Sequence, residues 1–316
     1  MKNERIGIGM DSAVIPIKRH GLSLVQSVDC FYPLIDDPYN MGKIAFANVV
    51  SDIYATGVTT IDTVRLVLST PDEFSEEERN IVVPMMINGF RDAAKHCGCE
   101  LKMGNIAINP WCLIGGVATS ICRSEEIVMP ISAQSGDVLI LTKPLGTQLA
   151  TNAYIWMKEA SSQWTKLNNA LVTSEQITIA YNKAVESMIT LNSLGAKLMH
   201  KYNAHAATDI TGFGLLGHAA NLAKYQKLPV DFVIERLPLI VNLKKMAEVL
   251  EQKRLMTGKG VETSGGLLVA IDQASAKAFC DDYLRESGNK CWVIGRVTDG
   301  TGAAYMSESS VLFEVE

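Results

Sequence analysis

The segment TDITGFGLLGHA, residues 208–219, sets the carboxylate of Asp209 among threonines just before a run of glycines. The glycines have the G-x-G-x-x-G spacing of a dinucleotide-binding turn: Gly212, Gly214 and Gly217. That turn requires an apolar strand running into its first glycine within a βαβ unit, whereas HAATDIT, residues 205–211, supplies a carboxylate and hydroxyls there. A carboxylate in that place would repel a pyrophosphate unless a divalent cation lay between them. The segment therefore predicts a metal-assisted phosphate site, at which the glycines admit close approach and the following helix offers its N–H groups.

Magnesium takes several oxygen ligands, so further carboxylates should share the ion. Asp11 follows closely after Gly9 in a glycine-rich stretch, and Asp29 lies on the other arm of the same predicted hairpin. Asp52 interrupts an otherwise apolar segment one helical turn after Asn48, which places both polar groups on one helix face. A buried Asp beside an Asn is costly without a partner, and a metal ion is one such partner.

Each of these residues also has a structural interpretation. Asp209 could be the N-cap of the helix that follows it, Asp52 could cap or pair with Lys43, and Asp11 could begin a turn. Histidines in such segments are more often structural than metal ligands, which applies to His205 and His218. Spacing alone leaves these alternatives open.

Composition narrows the class of protein. A chain of 316 residues is long enough for two domains, and a net charge of −5 argues against a nucleic-acid-binding protein. Seven scattered cysteines suit a reducing compartment. The uncharged stretch 103–122 contains Asn, Pro and several Gly, so it predicts two buried strands joined by a turn rather than a membrane span. With no apolar leader at its start, the chain is expected to be soluble and cytoplasmic.

The order of elements predicts an α+β protein with mixed or antiparallel sheets flanked by helices. A hairpin precedes a helix that Asp37 and Pro38 open, and a second helix starts at a capping box of Ser75 and Glu78. A composition break near residues 132–136 divides the chain into domains 1–133 and 134–316. The second domain should contain a long helical region over about residues 147–202 and several apolar strands.

Several segments resemble the selenophosphate synthetase family, in order over essentially the whole chain. They are GIGMDSAV, SVDCFYP, DDPYNMGKIAFANVVSDIYATGV, NPWCLIGGVA, GDVLILTKPLG, HAATDITGFGLLGHA and ETSGGLL. TDITGFG alone is typical of the wider superfamily, which includes aminoimidazole ribonucleotide synthetase, thiamin monophosphate kinase and a hydrogenase-maturation protein. TGFGLLGH, NPW and TSGGLL together indicate the selenium enzyme and its eukaryotic-like branch.

The resemblance implies a two-domain fold like that of aminoimidazole ribonucleotide synthetase, with ATP bound by the first domain and two copies joined there as a homodimer. It implies ATP-dependent synthesis of selenophosphate from selenide and water, with release of AMP and orthophosphate, for selenocysteine biosynthesis. Selenium-delivery or selenocysteine-synthesis proteins are the implied partners, besides ATP and selenide. The alternatives are another ATP-dependent phosphoryl-transfer enzyme of the superfamily, or a non-catalytic regulator on the same fold.

The resemblance also assigns residues to the site. The family's Mg²⁺-binding aspartates match Asp11, Asp52 and Asp209. Its nucleotide-binding positions match Gly9, Met10, Asp11, Asp29, Asp52, Met103, Gly104, Asn105 and Ile106. The turn 103–106 departs from the family pattern by one glycine and one hydroxyl, so its phosphate contacts are expected to differ.

No catalytic nucleophile is assigned. The family's reactive cysteine or selenocysteine, followed closely by a lysine, lies upstream of the first metal-binding aspartate. In this sequence no cysteine precedes Cys30, which we expect to pack rather than react. On this basis the chain as given is expected to fold and dimerise but not to make selenophosphate.

Overall fold

The computed structural model of the protein describes residues 11–17 and 21–315. The chain divides into two compact units. The first unit comprises residues 1–128 with 189–196, and the second comprises 129–188 with 197–316. Each unit has its own sheet, flanking helices and buried apolar side chains.

The first unit contains a mixed six-stranded sheet. Its strands are β1 (Ala13–Pro16), β2 (Leu22–Phe31), β3 (Thr63–Pro71), β4 (Glu100–Lys102), β5 (Ala107–Asn109) and β6 (Leu113–Arg123). The order is β1-β2-β6-β3-β4, and β5 also pairs with β3. Strands β4 and β5 run parallel to β3, while the other pairs are antiparallel. The predicted hairpin is therefore confirmed by the pairing of β1 with β2.

Two helices belong to the first unit, α1 (Pro38–Ala55) and α2 (Glu76–Cys97). The carboxylate of Asp37 accepts hydrogen bonds from the first N–H groups of α1, as its sequence predicts. Helix α2 begins at the predicted capping box, in which Ser75 and Glu78 bond each other's backbone N–H groups, and it ends at Gly98 in a left-handed conformation. The local capping residues thus fix both helices where the sequence indicates.

The two faces of this sheet have different surroundings. Alternate residues of β2, β3 and β6 are buried, and α1 packs against β2 and β6. On the opposite face, Val28 is 67% exposed, Val67 is 41% exposed and Ile121 is 52% exposed. Cys30 shares that face and is exposed, so it does not pack within the chain as expected, while its lack of reactivity stays a prediction.

The second unit contains another six-stranded sheet. Its strands are β7 (Asp137–Leu141), β8 (Ala206–Asp209), β9 (Val230–Ile240), β10 (Leu267–Asp272), β11 (Trp292–Asp299) and β12 (Ala304–Val315). The order is β12-β9-β11-β7-β10-β8. Only the pair of β12 with β9 is parallel among these strands. The predicted mixed sheets flanked by helices are confirmed.

The long helical region of the second half consists of separate helices. These are α3 (Thr147–Lys158), α4 (Ser162–Asn169), α5 (Ser174–Ile189) and α6 (Ser193–Lys201). The remaining helices are α7 (Gly214–Lys224), α8 (Leu243–Val249), α9 (Lys253–Met256) and α10 (Gln273–Ser287). Among the described residues, no helix combines the length and hydrophobicity that crossing a bilayer requires.

Three details differ from the sequence predictions. The residues before the glycine turn do form a fully buried strand, β8, although they carry a carboxylate and a hydroxyl. Because β8 is antiparallel to β10, it is still not part of a βαβ dinucleotide-binding unit. The stretch 103–122 does form two strands joined by a turn, but the first of them, β5, is largely exposed. Strand β12 was not predicted.

Candidate functional site

Asp52 lies on α1 and faces β2. The hydroxyl of Ser27, a buried residue of β2, donates a hydrogen bond to Oδ2 of Asp52 over 2.7 Å. Lys43, the alternative partner weighed from the sequence, instead places its ammonium 4.4 Å from the centre of the Tyr39 ring. The Ser27 hydroxyl thus orients one oxygen of the Asp52 carboxylate.

Asp29 is held in the same way one step along the strand. The side-chain amide of Asn48, buried on α1, donates to Oδ2 of Asp29. Burial raises the pKa of Asp29 above its ordinary value, and the Asn48 hydrogen bond acts against that rise. The helix-face argument for Asn48 and Asp52 is borne out, because both side chains meet β2. Two adjacent carboxylates therefore line the interface of β2 with α1.

Asp11 lies just before β1 and is half-buried. The hydroxyl of its neighbour Ser12 is buried and has no hydrogen-bond partner among the described residues. A buried polar atom without a partner is uncommon in a folded protein and is one sign of a group that binds there. The assigned positions Gly9 and Met10 lie outside the described residues.

The turn 103–106 joins β4 to β5 at the edge of the first sheet. Met103 and Ile106 are both exposed. A Cβ at Gly104 would lie 3.2 Å from the carbonyl oxygen of Leu66, which the sheet register aligns with Asp29 through β6. At roughly 4.8 Å per strand, the turn is about 14 Å from Asp29. The turn and Asp29 are therefore in one row of the sheet but not in contact.

Asp209 ends β8, at the edge of the second sheet, and is 1% exposed. Its neighbour on β10 is Leu267. The N-cap of the following helix α7 is Phe213, so the alternative that Asp209 caps this helix was wrong. A carboxylate buried to this degree needs a positive charge or strong donors nearby.

Hydrogen bonds within the chain hold the turn that follows Asp209. His218, on α7, accepts a hydrogen bond at Nε2 from the backbone N–H of Thr211 over 3.1 Å. A ring nitrogen of His218 also lies within 4.8 Å of a carboxylate oxygen of Asp209. Burial lowers the pKa of His218 to about 4, so the ring is neutral at pH 7. A neutral acceptor at this place supports a structural role for His218.

The glycine turn is tightly enclosed on one side. Gly214 has φ +71°, and a Cβ there would lie 2.5 Å from the carbonyl oxygen of Gly260. The N–H of Gly214 donates to Thr211, and the N–H of Leu216 donates to Gly258. Two donors of the first turn of α7 are therefore already used within the chain, which reduces what this helix end can offer a phosphate.

Two buried charges near Asp209 were missed by the sequence analysis. Lys143, after β7, is 3% exposed and donates from Nζ to the carbonyl oxygen of Ser264 over 2.9 Å. Burial lowers the pKa of Lys143 to about 7, and the charge of Asp209 acts in the opposite direction. Glu262 is also buried and accepts hydrogen bonds from the N–H groups of Gly146 and Thr147. The signal was present as charged residues inside TKPLG and ETSGG, two otherwise uncharged segments.

The donor types fit a hard divalent cation. In each unit the candidate ligands offer carboxylate oxygens, which Mg²⁺ prefers. Asp52 is oriented by Ser27, and the buried hydroxyl of Ser12 beside Asp11 lacks a partner among the described residues. Asp11 and Asp52 in the first unit, and Asp209 in the second, each offer the kind of oxygen donor that magnesium binds.

Comparisons with known proteins assign this chain to a family. The N-terminal domain model of AIR synthase related protein matches residues 9–122, and the C-terminal domain model matches residues 134–306. The chain is 47% identical to human selenide, water dikinase 2 over 313 residues, which cover 98% of the chain and 69% of the human protein. It is 48% identical to selenide, water dikinase 2 of Drosophila melanogaster over 318 residues, 98% of the chain and 85% of that protein.

Solved structures share the fold at low sequence identity. The protein solved as AaThiL complexed with AMPPCP and TMP has a TM-score of 0.69 and 20% identity, covering 96% of this chain and 89% of that one. A chain of the HypE–HypF complex has a TM-score of 0.69 and 17% identity, covering 97% of this chain and 92% of that one. The expected two-domain fold is thus confirmed.

Proposed function

This chain belongs to the selenide, water dikinase family, and we propose on that basis that the gene product, with any residues encoded before Met1, makes selenophosphate from selenide, ATP and water, releasing AMP and orthophosphate. The observation that carries the proposal is 47% identity to the human enzyme over 98% of the chain. The reaction would supply the selenium donor for selenocysteine biosynthesis. Both domain types of the family are matched, so the likeness extends well beyond one motif.

Asp11, Asp52 and Asp209 are proposed to hold Mg²⁺. Their oxygen donors, the orientation of Asp52 by Ser27 and the burial of Asp209 support this assignment. Bound there, the ion would neutralise phosphate charge. Phosphoryl transfer needs the positioning of the phosphates and the neutralisation of their charge more than covalent chemistry from the protein. Carboxylates held in place would position the ion, and the ion would neutralise the charge.

The nucleotide is proposed to contact the first unit. Asp29, Asp52 and the turn 103–106 lie in or beside one row of its sheet, about 14 Å from end to end at roughly 4.8 Å per strand. That length suits an extended nucleoside triphosphate. Gly9 and Met10 are included by their match to the family.

A homodimer is proposed, joined through the outer face of the first sheet. Val28, Val67 and Ile121 are exposed there on three adjacent strands, and an apolar sheet face of this kind is unfavourable in water. A second copy is the occupant that fits, because the same face on each copy forms a self-complementary contact. Sedimentation of the protein should show a dimer, and Val67→Lys should shift it to the monomer. A wild-type protein that stays monomeric at all concentrations would contradict this.

A cytoplasmic location is proposed as well. All seven cysteines lie in the described part of the chain, and none of them forms a disulfide, which suits a reducing compartment. Proteins that deliver selenium or consume selenophosphate are the proposed partners.

The products of ATP consumption test the proposed reaction. The protein is assayed anaerobically with Mg²⁺ and ATP, with and without selenide, including any residues that its gene encodes before Met1. We expect selenide-dependent formation of AMP and orthophosphate in equal amounts. ADP as the final product, or ATP consumption that ignores selenide, would contradict the proposal. Asp52→Asn serves as the matched inactive control.

A further inference from the structure

Two cysteines lie where helix α2 ends and strand β4 begins. Cys97 is the last residue of α2, and Cys99 directly precedes β4. Both are free thiols and half-buried, while Gly98 between them is exposed. A Cβ at Gly98 would meet no atom of the described residues within 4 Å, so a small solute can approach from that side. We call residues 97–99 the dithiol turn.

The backbone of the dithiol turn brings the two cysteines within reach of a disulfide. Gly98 has φ 80° and ψ 17°, a left-handed helical conformation. A helical conformation of either hand places the Cα atoms of residues two apart at about 5.4 Å. Disulfides most often join Cα atoms about 5.5 to 6 Å apart. The N–H groups of Gly98 and Cys99 both donate to the carbonyl oxygen of Ala94, over 3.0 and 3.2 Å, which holds the turn in this shape.

The surroundings of the two thiols differ. Sγ of Cys97 lies 3.2 Å from the hydroxyl oxygen of Tyr54, a residue of α1 that is 1% exposed. A thiolate has no proton to donate, so the Tyr54 hydroxyl is the donor whenever Cys97 is ionised. Sγ of Cys99 instead lies 3.7 Å from the carbonyl oxygen of Ala94, an acceptor that favours the neutral thiol. The cluster thus favours a thiolate at Cys97 and a thiol at Cys99.

The pKa values of the pair agree with this geometry. The hydrogen bond with Cys99 lowers the pKa of Cys97 to about 7; the bond with Tyr54 acts in the same direction, and burial acts against both. The hydrogen bond with Cys97, followed by burial, raises the pKa of Cys99. The thiolate is the nucleophilic form of cysteine, so Cys97 is the more reactive thiol at neutral pH.

We propose that the dithiol turn is a site of reversible oxidation by hydroperoxides, at which Cys97 reacts first and Cys99 then closes a disulfide with it. Transient disulfides of this kind are the ones found in reducing compartments. The inference goes beyond the proposed function and does not depend on it.

The reaction takes two steps with hydrogen peroxide as the oxidant. The thiolate sulfur of Cys97 attacks one peroxide oxygen, an S–O bond forms and the O–O bond breaks. Hydroxide leaves and takes up the proton that Cys97 had released. The sulfur of Cys99 then attacks the sulfur of Cys97, an S–S bond forms, and the oxygen leaves as water with the proton of Cys99. Two thiols thus lose two electrons, and one peroxide becomes two waters.

Peptide mass spectrometry tests the proposal. Trypsin cleaves after Lys95 and Lys102 and releases HCGCELK, residues 96–102, which contains both thiols of the turn and no other cysteine. The folded protein is treated with hydrogen peroxide at neutral pH, remaining thiols are blocked with iodoacetamide, and the peptides are weighed. We expect peptide 96–102 to lose two hydrogens and to escape alkylation, and dithiothreitol to restore both thiols.

Single substitutions separate the two thiols. In Cys99→Ser, dimedone should trap a sulfenic acid at Cys97, whereas in Cys97→Ser the Cys99 thiol should survive the same treatment. Tyr54→Phe keeps the buried ring without its hydroxyl and should slow disulfide formation about threefold, because the thiolate loses a hydrogen bond. Peptide 278–285, with Cys280 of the second unit, is the internal reference. Its reactivity should be the same in wild type and Tyr54→Phe.

Three results would contradict the proposal. Peptide 96–102 of the wild type could keep both thiols at a peroxide concentration that oxidises Cys280. It could gain oxygen without losing two hydrogens, which would mean that Cys99 does not reach Cys97. Trapping of a sulfenic acid at Cys99 in Cys97→Ser, with none at Cys97 in Cys99→Ser, would show that the roles are reversed.

Discussion

The two units treat their candidate metal ligands differently. In the first unit, Asp29 and Asp52 each accept a hydrogen bond from a neutral side chain, Asn48 and Ser27. In the second unit, Asp209 is almost fully buried, and its negative charge raises the pKa of the buried Lys143 against the effect of burial. The first unit thus orients two carboxylates with neutral hydrogen-bond donors, whereas the second buries its carboxylate almost completely.

This difference has an electrostatic consequence. A neutral donor leaves the full negative charge of a carboxylate for an incoming cation, while a nearby ammonium offsets part of it. The first unit should therefore supply more of the attraction for Mg²⁺. Asp209 should contribute more to the geometry of the Mg²⁺ site and less to its net negative charge.

The largest expected effect is on Mg²⁺-dependent nucleotide binding when the carboxylate of either unit is removed. We expect Asp52→Asn to weaken Mg²⁺-dependent nucleotide binding about 1,000-fold, or about 4 kcal/mol at about 1.4 kcal/mol per tenfold. Asp209→Asn should weaken it about 100-fold, because Lys143 already offsets part of that charge. Calorimetric titration of each variant with Mg²⁺ and a non-hydrolysable ATP analogue measures both.

Thermal unfolding checks that both variants are folded. A larger loss of affinity for Asp209→Asn than for Asp52→Asn would contradict the proposed difference between the units. Unchanged affinity in both variants would show that neither residue binds the metal.

The features that the sequence predicted well are local ones. The caps of α1 and α2 depend on residues within three positions of each other, such as Asp37 with Tyr39 and Asn40. The meeting of Asn48 and Asp52 with one strand also followed from helical periodicity, and the β1–β2 hairpin needed only its turn.

The features that it missed depend on distant partners. Lys143 and Ser264 are 121 positions apart, and Glu262 is 115 positions from Thr147, so no local pattern joins them. Strand β8 was missed because its last residue is charged, although its burial is complete. Strand β12 carries alternating polar residues and was not distinguished from a tail.

The next effect concerns stability in the second unit. Burial raises the pKa of Glu262 from 4.5 to about 7. Between those values the folded protein holds a proton that the unfolded chain has released, so the free energy of unfolding falls as pH rises from 4.5 to about 7. We expect a decrease of about 3 kcal/mol from this group, at about 1.4 kcal/mol per pKa unit. Urea unfolding followed by tryptophan fluorescence measures it.

Glu262→Gln should flatten this dependence while lowering stability at every pH, because the amide cannot accept from all the donors around it. Three of the four tryptophans lie in the second unit, so fluorescence reports mainly on the relevant region. The same slope in wild type and variant would mean that Glu262 does not carry the effect.

The smallest effect tests the neutral orientation of Asp52. Ser27→Ala removes one hydrogen bond to the carboxylate, which contributes about 1 kcal/mol. Mg²⁺-dependent nucleotide affinity should fall about fivefold, and Ser27→Thr, which keeps the hydroxyl, should restore most of it. An alanine variant with wild-type affinity would show that Ser27 is not needed to orient Asp52.

The central claim is that the protein forms a bond between selenium and phosphorus. Phosphorus NMR under anaerobic conditions tests it directly, with ATP, Mg²⁺ and selenide enriched in its magnetic isotope. The gene product, with any residues encoded before Met1, should give a new phosphorus signal that is split by the selenium nucleus, alongside AMP and orthophosphate. Consumption of ATP without a selenium-coupled phosphorus signal would contradict the assignment.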